Sequence, residues 1–375
     1  MSDVSLTQRD LADDATDVAA SGSAGASAAE PRVRKGLTYP LGDWHPDAGE
    51  LYEIADGVHW LRMPMPFSLN HINLWILDGG DSWTIVDSAI PAKLCKDVWR
   101  GVLNELTAIK PVGQMLCTHY HPDHIGNAGW IVKKTGATLV MTLGEYLMAR
   151  MLLGDVRDEP PEDAVRYFEK AGWPDEALTR FREQGWGRFS KVVSHFPTQY
   201  RRIRDGETIK IGARDWRIVV GSGHTPEHAC LVDDADGLMI AGDQVLPRIT
   251  SNVSVHGTEP MADPLGDWLA SIEKLRALPE DLFVLPAHGF PFTGLHTRLD
   301  QLAADHENKL MLLQGFLSKP RTAFDSFEIL FSRPIDENEF GIATGEAMAH
   351  LRWLEKRGKA RRDVRKNRAD MWTAT

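Results

Sequence analysis

Apolar residues recur in short runs from about residue 37 onward, and turn residues separate these runs. Three runs have the length and composition of strands: residues 57–62, 72–77 and 83–87. Residues 78–81, with two central glycines, predict a turn between the second and third strands. A helix is predicted next, from apolar residues at helical spacing: Val98, Val102, Leu103 and Leu106. Strands that alternate with helices indicate an α/β layered fold.

The remainder of the chain predicts a helical insertion, further strands and a helical C-terminal part. Residues 144 to about 200 are rich in Arg, Glu and aromatic residues, and they predict the insertion. Five further strands are predicted, at residues 114–118, 208–211, 216–220, 238–241 and 282–285. Three later helices are predicted: the first at residues 299–313, the second after a capping box at 322–325, and the third at 343–354. Gly358 is predicted to end the third helix, and residues 364–372 are predicted to form a hairpin.

The first 36 residues predict a disordered tail. Every residue from 19 to 29 is Ala, Ser or Gly. Such a segment cannot bury enough apolar surface to offset the entropy that is lost on ordering. We therefore expect three parts: the tail (1–36), a main domain (37–295) that includes the insertion at 144–200, and a C-terminal domain (296–375).

The composition is typical of a soluble globular protein. The 375 residues are 43% hydrophobic and 25% charged, and no apolar stretch reaches the roughly 18 residues that a membrane helix needs. The acidic N-terminus does not have the pattern of a signal peptide. Cys95, Cys117 and Cys230 are too few and too scattered for a disulfide framework, so we expect reduced thiols and a cytoplasmic location. The formal net charge of −11 provides no general attraction for nucleic acid.

Residues 118–124, at the end of a predicted strand, concentrate the chemistry of the chain. Within six residues they supply His119, His121, Asp123 and His124. Neutral imidazole is the commonest nitrogen ligand of zinc, and carboxylate complements it. Burying four polar groups side by side in a hydrophobic core would cost free energy. This turn is therefore predicted to bind metal, and four such side chains can serve two ions.

Four more strand ends carry a potential ligand or supporting group. Asp87 ends an early predicted strand, and His224, Asp243 and His288 follow three later ones. Taken singly, each of these residues could cap a strand end. Taken in this order after the histidine cluster, His224, Asp243 and His288 extend the predicted metal site.

These residues give the sequence a resemblance to the metallo-β-lactamase superfamily over about residues 37–295. The matching signature is the HxHxDH motif at 119–124, followed by His224, Asp243 and His288. The resemblance implies a four-layer αββα sandwich with the metals at one edge of the two sheets. Cys230 does not occupy the position at which a thiolate binds metal in the β-lactamases that have one cysteine ligand, so the resemblance implies no cysteine ligand. The resemblance therefore implies the hydrolase branch of the superfamily rather than a true β-lactamase.

The resemblance also implies a ligand set for two divalent ions. One ion would be held by His119, His121 and His224. The second would be held by Asp123, His124 and His288, and Asp243 would bridge both, while Asp87 would support the site from behind the ligands. For His228 the resemblance gives no ligand role, and a surface position or a contact behind the ligands stays open. Five further histidines receive no role: His71, His195, His256, His296 and His306.

The chain from His296 onward resembles the winged-helix tail of the β-lactamase-like (LACTB-type) subgroup. Residues 309–331 and 345–351 carry the resemblance. Winged helices often bind nucleic acid, and residues 350–375 contain nine Lys or Arg against three acids. The alternative is that this domain packs against the main domain or a partner subunit. The negative charge elsewhere in the chain favours that alternative.

The implied activity is that of a dinuclear metallo-hydrolase. A hydroxide shared by two divalent ions attacks an acyl carbon or a phosphorus, and Asp123 is the catalytic residue that orients it or relays its proton. Zn²⁺ is the expected metal because histidine dominates the ligands, and Mn²⁺ or Fe stays open. The favoured substrate is a small ester, thioester or lactone. Residues 64–67 could form a pocket wall. The aromatic residues of the insertion would form an apolar lid or would pack the insertion's own helices, and both alternatives stay open: Tyr167, Phe168, Trp173, Phe181, Trp186 and Phe189.

Three alternatives stay open at this point. The first is an endoribonuclease or other phosphodiesterase with the same two-metal site and the winged helix gripping the strand. The second is an iron-dependent oxidation on the same fold, such as that of a persulfide dioxygenase. The third is a binding protein without activity, although all seven ligand positions are filled. Assembly into a homo-oligomer also stays open.

Overall fold

The computed structural model describes residues 4–5, 30–67, 69–366 and 368–375. Its strands, in chain order, are β1 (Val4–Ser5), β2 (Arg32–Arg34), β3 (Leu37–Tyr39), β4 (Leu51–Ala55), β5 (Val58–Pro64), β6 (His71–Asp78), β7 (Trp83–Val86), β8 (Val112–Leu116), β9 (Thr138–Met141), β10 (Arg201–Arg202), β11 (Thr208–Ile211), β12 (Arg214–Gly221), β13 (His228–Asp233), β14 (Leu238–Gly242), β15 (Thr250–Ser251), β16 (Phe283–Pro286), β17 (Ala360–Asp363) and β18 (Met371–Ala374).

Helices of very different length connect these strands. They are α1 (Lys93–Ile109), α2 (Pro122–Ile125), α3 (Ala128–Thr135), α4 (Leu143–Gly154), α5 (Glu162–Ala171), α6 (Asp175–Glu183), α7 (Pro264–Leu275), α8 (Leu295–Phe316), α9 (Phe327–Leu330) and α10 (Phe340–Lys356), with short 3₁₀ turns at Arg188–Lys191 and Glu337–Glu339. Among the described residues, no helix combines the length and the apolar composition that crossing a bilayer requires.

Two mixed sheets form the centre of the molecule. The first has seven strands in the order β10-β9-β8-β7-β6-β5-β4, and the second has five in the order β11-β12-β13-β14-β16. In the first sheet, the pairs from β4 to β7 are antiparallel, and those from β7 to β10 are parallel. In the second sheet, β14 and β16 are parallel, and the other pairs are antiparallel.

Alternating side chains of the first sheet face two different cores. Trp60 of β5 belongs to the core that also contains Trp216 of the second sheet, whereas its neighbour Leu61 faces the opposite side. There Leu61 shares a second core with Trp99 of α1. This alternation is the period of two that a pleated strand imposes. Helix α7 packs against β12 on the second sheet. Together these contacts give the αββα layering that the sequence predicts.

The helical insertion serves two different parts of the molecule. Helix α4 places Tyr146 and Ala149 in the outer core of the first sheet. Helices α5 and α6 instead face the C-terminal helix α10. The ring of Phe168 stacks on that of Trp173 at a centroid distance of 4.2 Å, and the indole N–H of Trp173 donates to the hydroxyl of Thr344 at 2.8 Å.

Phe168 and Trp173, two of the aromatic residues that could have formed a lid over the metal site, instead pack toward the C-terminal domain. The ring of Trp173 contacts that of Phe340 in helix α10 at 5.6 Å between ring centroids. Phe181 and Trp186 line a cavity of about 360 Å³ between the insertion and Phe340. Phe189 reaches toward the metal site, since its ring lies 6.2 Å from that of Tyr120.

The predicted N-terminal tail, residues 1–36, extends too far along the chain. Arg32–Arg34, inside the range assigned to the tail, form a strand that pairs antiparallel with Leu37–Tyr39. The strand Val4–Ser5 pairs with Thr250–Ser251. The hairpin at 32–39 is further held by backbone hydrogen bonds between Thr38 and Thr293. The low-complexity segment at 19–29, on which the tail prediction depends, lies outside the described residues.

The C-terminal part contains three helices followed by an antiparallel hairpin, formed by α8, α9, α10 and the pair β17–β18. The predicted capping box is present, because the Thr322 N–H donates to the Asp325 carboxylate at 2.8 Å and the Asp325 N–H donates to the Thr322 hydroxyl at 3.0 Å. Helix α10 ends just before Gly358, whose φ of +66° lies in the left-handed region.

Candidate metal centre

The candidate ligands stand where strands of both sheets end at one edge. In the first sheet, parallel neighbours β7 and β8 lead into Asp87 and into the 118–124 turn. In the second sheet, β12, β14 and β16 run in the same direction and lead into His224, Asp243 and His288. All seven predicted ligand residues are buried, and they lie in one cluster: His119, His121, Asp123, His124, His224, Asp243 and His288.

Their nitrogen and oxygen atoms form three overlapping groups, each with all atoms within 4.8 Å of one another. The first group contains His119, His121 and His224. The second contains His119, His124 and Asp243, and the third contains Asp123, His124 and His288. Within the first group, His119 Nε2 lies 2.9 Å from His121 Nδ1. The first and third groups coincide with the two sets of histidine and aspartate ligands that the sequence predicts.

Asp243 lies between these two sets. Its Oδ1 is 3.5 Å from His124 Nε2 and 3.5 Å from His288 Nε2, and its Oδ2 is 3.6 Å from His224 Nε2. Asp123 Oδ2 is 3.4 Å from His288 Nε2. A carboxylate with one oxygen toward each set has the position that a shared ligand needs.

Hydrogen bonds on the far side of three imidazole rings fix which nitrogen faces the cluster. His224 Nδ1 donates to the carbonyl of Asn252 at 2.7 Å, and His288 Nδ1 donates to the carbonyl of His71 at 2.9 Å. His124 Nδ1 lies 2.8 Å from Asp87 Oδ2. Because these oxygens only accept, each Nδ1 carries a proton. The Nε2 lone pair of the neutral ring is then free for a metal ion, as is usual for histidine ligands.

The buried polar atoms of the cluster that lack hydrogen-bond partners fit a bound cation. Within the part of the chain that the structure describes, four of its buried atoms have no hydrogen-bond partner: His124 Nε2, His224 Nε2, His288 Nε2 and Asp243 Oδ1. Buried polar atoms are ordinarily paired, since leaving one unpaired costs about 1–3 kcal/mol. Here all four belong to one cluster of imidazole nitrogens and carboxylate oxygens, which is the donor set that divalent metal ions prefer.

Asp87 supports this cluster from behind, at a strained position in the backbone. Its carboxylate accepts hydrogen bonds from the backbone N–H and the hydroxyl of Thr118, both at 2.8 Å, in addition to its contact with His124. Its φ of +63° lies in the left-handed region, which non-glycine residues seldom adopt. Strain of this kind persists where the surrounding contacts require it, and it is common at functional sites.

Three further residues lie near the candidate ligands, and of these the sequence had left such a position open only for His228. His71 supplies the carbonyl that orients His288, and its Nε2 accepts from the Gly289 N–H at 3.1 Å. His228 is not on the surface. It is buried behind the candidate ligands, and its Nε2 accepts from the Asp243 N–H at 3.0 Å. Glu145 of α4 accepts from the backbone N–H of Tyr120 at 2.9 Å and from that of Glu227 at 2.7 Å.

The signals for these residues were weak in the sequence. His228 stands four residues after His224 and opens an apolar run at 229–232, so its strand could have been recognised from that pattern. Glu145 joins the 118–124 turn to the loop after β12. That contact follows from tertiary packing, and a lone glutamate on a predicted helix does not reveal it.

The charges of the cluster favour a bound cation. Burial opposes ionisation of Asp243, but His288 and His124 hold the pKa of this carboxyl well below its ordinary value. Burial and the neighbouring histidines lower the pKa of His119 well below its ordinary value. Burial also lowers the pKa of His124, but the carboxylates of Asp87, Asp243 and Asp123 outweigh burial and raise this pKa well above its ordinary value. The buried carboxylates thus attract positive charge, and a metal ion competes with the proton for it.

Two cavities reach the cluster from outside. One of about 190 Å³ is lined by Phe67, Pro91, Asp123 and Lys191. Phe67 belongs to the 64–67 loop that the sequence predicts as a pocket wall, and it lies there next to Asp123. The other cavity, of about 580 Å³, is lined by residues that include His224 and Tyr120.

Comparison with known proteins places this fold and cluster in a family. The profile of the metallo-β-lactamase superfamily matches residues 68–288, and the profile of a metallo-β-lactamase-like C-terminal domain matches residues 310–374. The first match spans more than half of the chain. The chain therefore belongs to the metallo-β-lactamase superfamily, and it is a hydrolase of that superfamily.

Two solved structures and one named enzyme illustrate the similarity. A β-lactamase domain protein from Burkholderia ambifaria is 39% identical with a TM-score of 0.83, and the match covers 90% of this chain and 98% of that one. A metallo-β-lactamase family protein from Thermus thermophilus is 26% identical with a TM-score of 0.71, covering 86% and 100%. Acyl-coenzyme A thioesterase MBLAC2 from Homo sapiens is 24% identical over 269 residues, which is 68% of this chain and 86% of that protein.

Proposed function

We propose that this protein is a metal-dependent thioesterase with two divalent ions, and that Zn²⁺ is the native metal. One ion is held by His119, His121 and His224. The other is held by Asp123, His124 and His288, and Asp243 is shared by both. The observation that supports this proposal most strongly is the set of four buried, unpartnered atoms in the cluster of imidazoles and carboxylates.

When bound, two divalent ions would supply a water molecule whose pKa is lowered toward neutrality and would polarise the carbonyl oxygen of a substrate. The residues of the chain then have separate tasks. Asp123 lines the cavity next to Phe67, and its Oδ2 lies 3.4 Å from His288 Nε2. In that position its carboxylate can accept a proton from the attacking water and pass it to the leaving group. Asp87 holds His124 in the tautomer that binds metal.

The choice of a thioester is supported by the names of relatives, and the size of one cavity allows a small substrate. A similar protein bears the name acyl-coenzyme A thioesterase. The cavity beside His224 is large enough, at about 580 Å³, for a small organic substrate. We include small esters and lactones as the related substrates, since the attack on an acyl carbon is the same.

The test is metal analysis of the purified protein, followed by an assay panel. The panel compares acyl thioesters with lactones, aryl esters and a phosphodiester, with Zn²⁺, Mn²⁺ or Fe²⁺ restored to the chelated protein. We expect two equivalents of metal and the highest kcat/KM with a thioester. Turnover that requires iron and oxygen, and stops under anaerobic conditions, would reject hydrolysis in favour of oxidation.

A role on nucleic acid has less support from the C-terminal domain. We propose that α8, α9, α10 and the hairpin β17–β18 form a winged helix. Several of its basic side chains are engaged in ion pairs, such as Arg362 with Asp370 at 2.6 Å and Arg357 with Asp263 at 3.0 Å. Pairing of this kind reduces the positive field that phosphate binding needs. Salt-dependent binding of single-stranded RNA by the full chain would restore the phosphodiesterase alternative.

We also propose a cytoplasmic location, on the evidence of the cysteines. Cys95, Cys117 and Cys230 are all free and buried. Free thiols are typical of reducing compartments, where disulfides are rare. Fractionation of cells followed by detection of the protein tests this location.

A further inference from the structure

Residues 252–255 form a segment that connects the metal cluster to the C-terminal domain. At its first residue, the Asn252 carbonyl accepts from His224 Nδ1 at 2.7 Å and so fixes the orientation of that ring. The Asn252 side chain is buried, with 3% of its surface exposed. Its Oδ1 accepts from the hydroxyl of Ser254. The position of this segment therefore determines how His224 faces the cluster.

Helix α10 holds the same segment through two hydrogen bonds. The backbone N–H of Val255 donates to the carbonyl of Gly345 at 3.0 Å. The Asn252 amide Nδ2 donates to Glu346 Oε2 at 3.5 Å. From the insertion, the hydroxyl of Tyr167 donates to the carbonyl of Val255 at 2.7 Å. The segment is thus fixed by the two parts of the chain that lie outside the two central sheets.

The charge of Glu346 is itself balanced inside the C-terminal domain. Glu346 is buried with 2% exposed, and its Oε1 accepts from Lys309 Nζ of helix α8 at 3.1 Å. Lys309 also lies 3.1 Å from Asp305, one turn away on the same helix. A buried carboxylate needs such partners, because an isolated buried charge is costly. Glu346 is therefore held between Lys309 on one side and Asn252 on the other.

The absence of a side chain at Gly345 makes this approach possible. A Cβ placed there would lie 2.6 Å from Ser254 Oγ and 2.7 Å from Ser254 Cβ. Both distances are shorter than a van der Waals contact allows, so either the helix or the segment would have to move. A Cβ placed in the same way at Gly341, one turn earlier on α10, would meet no atom within 4 Å. The close packing is therefore specific to Gly345.

From these contacts we propose that Glu346 and Asn252 are positioning residues for the metal centre, and that the C-terminal domain sets the orientation of His224 through them. The domain thereby becomes part of the metal-binding apparatus. This inference rests on the metal site proposed above. It predicts that substitutions in α10, remote from every ligand, weaken the binding of the ion that His224 holds.

The first experiment measures Zn²⁺ affinity of the chelated full-length protein in competition with a chromophoric chelator. Asn252→Ala and Glu346→Ala should each weaken one Zn²⁺ equivalent by about tenfold, the lower end of the range for groups behind a metal ligand, because the Asn252 carbonyl that orients His224 stays but loses the contact that holds its segment in place. The double variant should lose no more than the larger single effect, because both residues act in one chain of contacts. Effects that multiply in the double variant would overturn the proposal.

Two controls separate positioning from general damage to the domain. Glu346→Gln retains an oxygen that can accept from Asn252, so it should bind Zn²⁺ much more tightly than Glu346→Ala. Equal losses in these two variants would overturn the hydrogen-bond step. Asp305→Asn disturbs the same Lys309 without touching the segment, and it should change the affinity by less than about twofold, as expected for a partly exposed ion pair.

The glycines provide a matched pair on one helix. Gly345→Ala should weaken Zn²⁺ binding because its methyl group displaces Ser254, whereas Gly341→Ala should leave binding unchanged. Equal affinities in these two variants and the wild type would overturn the proposal. If Gly345→Ala does not fold, the Asn252 and Glu346 variants still decide the question.

His121→Ala distinguishes failure of this inference from failure of the metal site. Full Zn²⁺ binding by His121→Ala would reject the site itself. Loss of Zn²⁺ in His121→Ala, together with wild-type affinity in Asn252→Ala and Glu346→Ala, would reject only the role of the C-terminal domain.

Discussion

Replacing Asp87 by Asn tests how the protein selects the metal-binding tautomer of His124. Asn has nearly the same size as Asp and tolerates the left-handed backbone at φ +63°. Its Oδ1 can still accept from the Thr118 N–H. The amide nitrogen, however, takes the place of the oxygen that lies 2.8 Å from both the Thr118 hydroxyl and His124 Nδ1. A donor at this point requires His124 Nδ1 to accept, which moves the ring proton to Nε2.

The expected loss of metal affinity in Asp87→Asn follows from the effect of a proton on His124 Nε2. Nε2 of His124 faces Asp243 and Asp123 in the cluster, at 3.5 and 3.8 Å. A protonated Nε2 has no lone pair for a metal ion, so the ring must change tautomer and lose a hydrogen bond before it can bind. We expect metal affinity at this site to fall by about 10–100-fold, the usual range for groups behind a metal ligand. This corresponds to roughly 1.4–2.7 kcal/mol of binding free energy.

The assay is Zn²⁺ titration of the chelated protein, with urea unfolding of the same sample as the test of folding. Asp78→Asn is the matched control, because Asp78 also ends a strand but pairs with Lys110 near the surface. That variant should bind metal as the wild type does. If Asp87→Asn folds and binds two equivalents of Zn²⁺ with wild-type affinity, the tautomer argument is refuted.

Three further predictions follow from the same structure. Asp243→Asn should fold but hold closer to one metal than two, with activity lower by orders of magnitude; Asn is an equally good cap, so two retained metals would mean that Asp243 is only a turn residue. A chelator should lower the free energy of unfolding, since ligand at a thousandfold excess over Kd adds about 4 kcal/mol; an unchanged urea midpoint would contradict a structural contribution of the metal. Burial raises the pKa of Cys95 to about 11 and that of Cys230 to about 12, so both should react slowly with Ellman's reagent at pH 8 until the protein is unfolded, and rapid labelling of the native protein would be inconsistent with their burial.

The clustering of the candidate ligands could be predicted from the sequence because their chemistry is concentrated locally. His119, His121, Asp123 and His124 share one turn, and the later ligands each follow an apolar run that identifies a strand. Strands whose carboxyl ends lie at one edge of a sheet bring such residues together whatever the details of packing. The strand positions and the layered fold follow from the same hydrophobic pattern.

The residues that orient the ligands could not be predicted in this way. Asn252 and Glu346 are separated along the chain, and nothing local in either segment indicates the other. The aromatic face of the insertion predicts that something covers it, but Phe168 and Trp173 contain no information about which partner does so. The sequence suggested a lid over the metals, whereas in the structure Trp173 contacts Phe340 and Thr344 of the C-terminal helix α10. Such pairings depend on tertiary packing, which hydrophobic periodicity does not encode.

The division of the ligands between the two sheets imposes an order on assembly. The first sheet supplies the 118–124 turn, whereas His224, Asp243 and His288 come from the second. During synthesis the first four ligands leave the ribosome well before the last three are made. A cation that met the early chain would find only four of the seven proposed ligands. If the proposed metal site is correct, it would be complete only after both sheets have docked, and full metal loading would then be a late event in maturation.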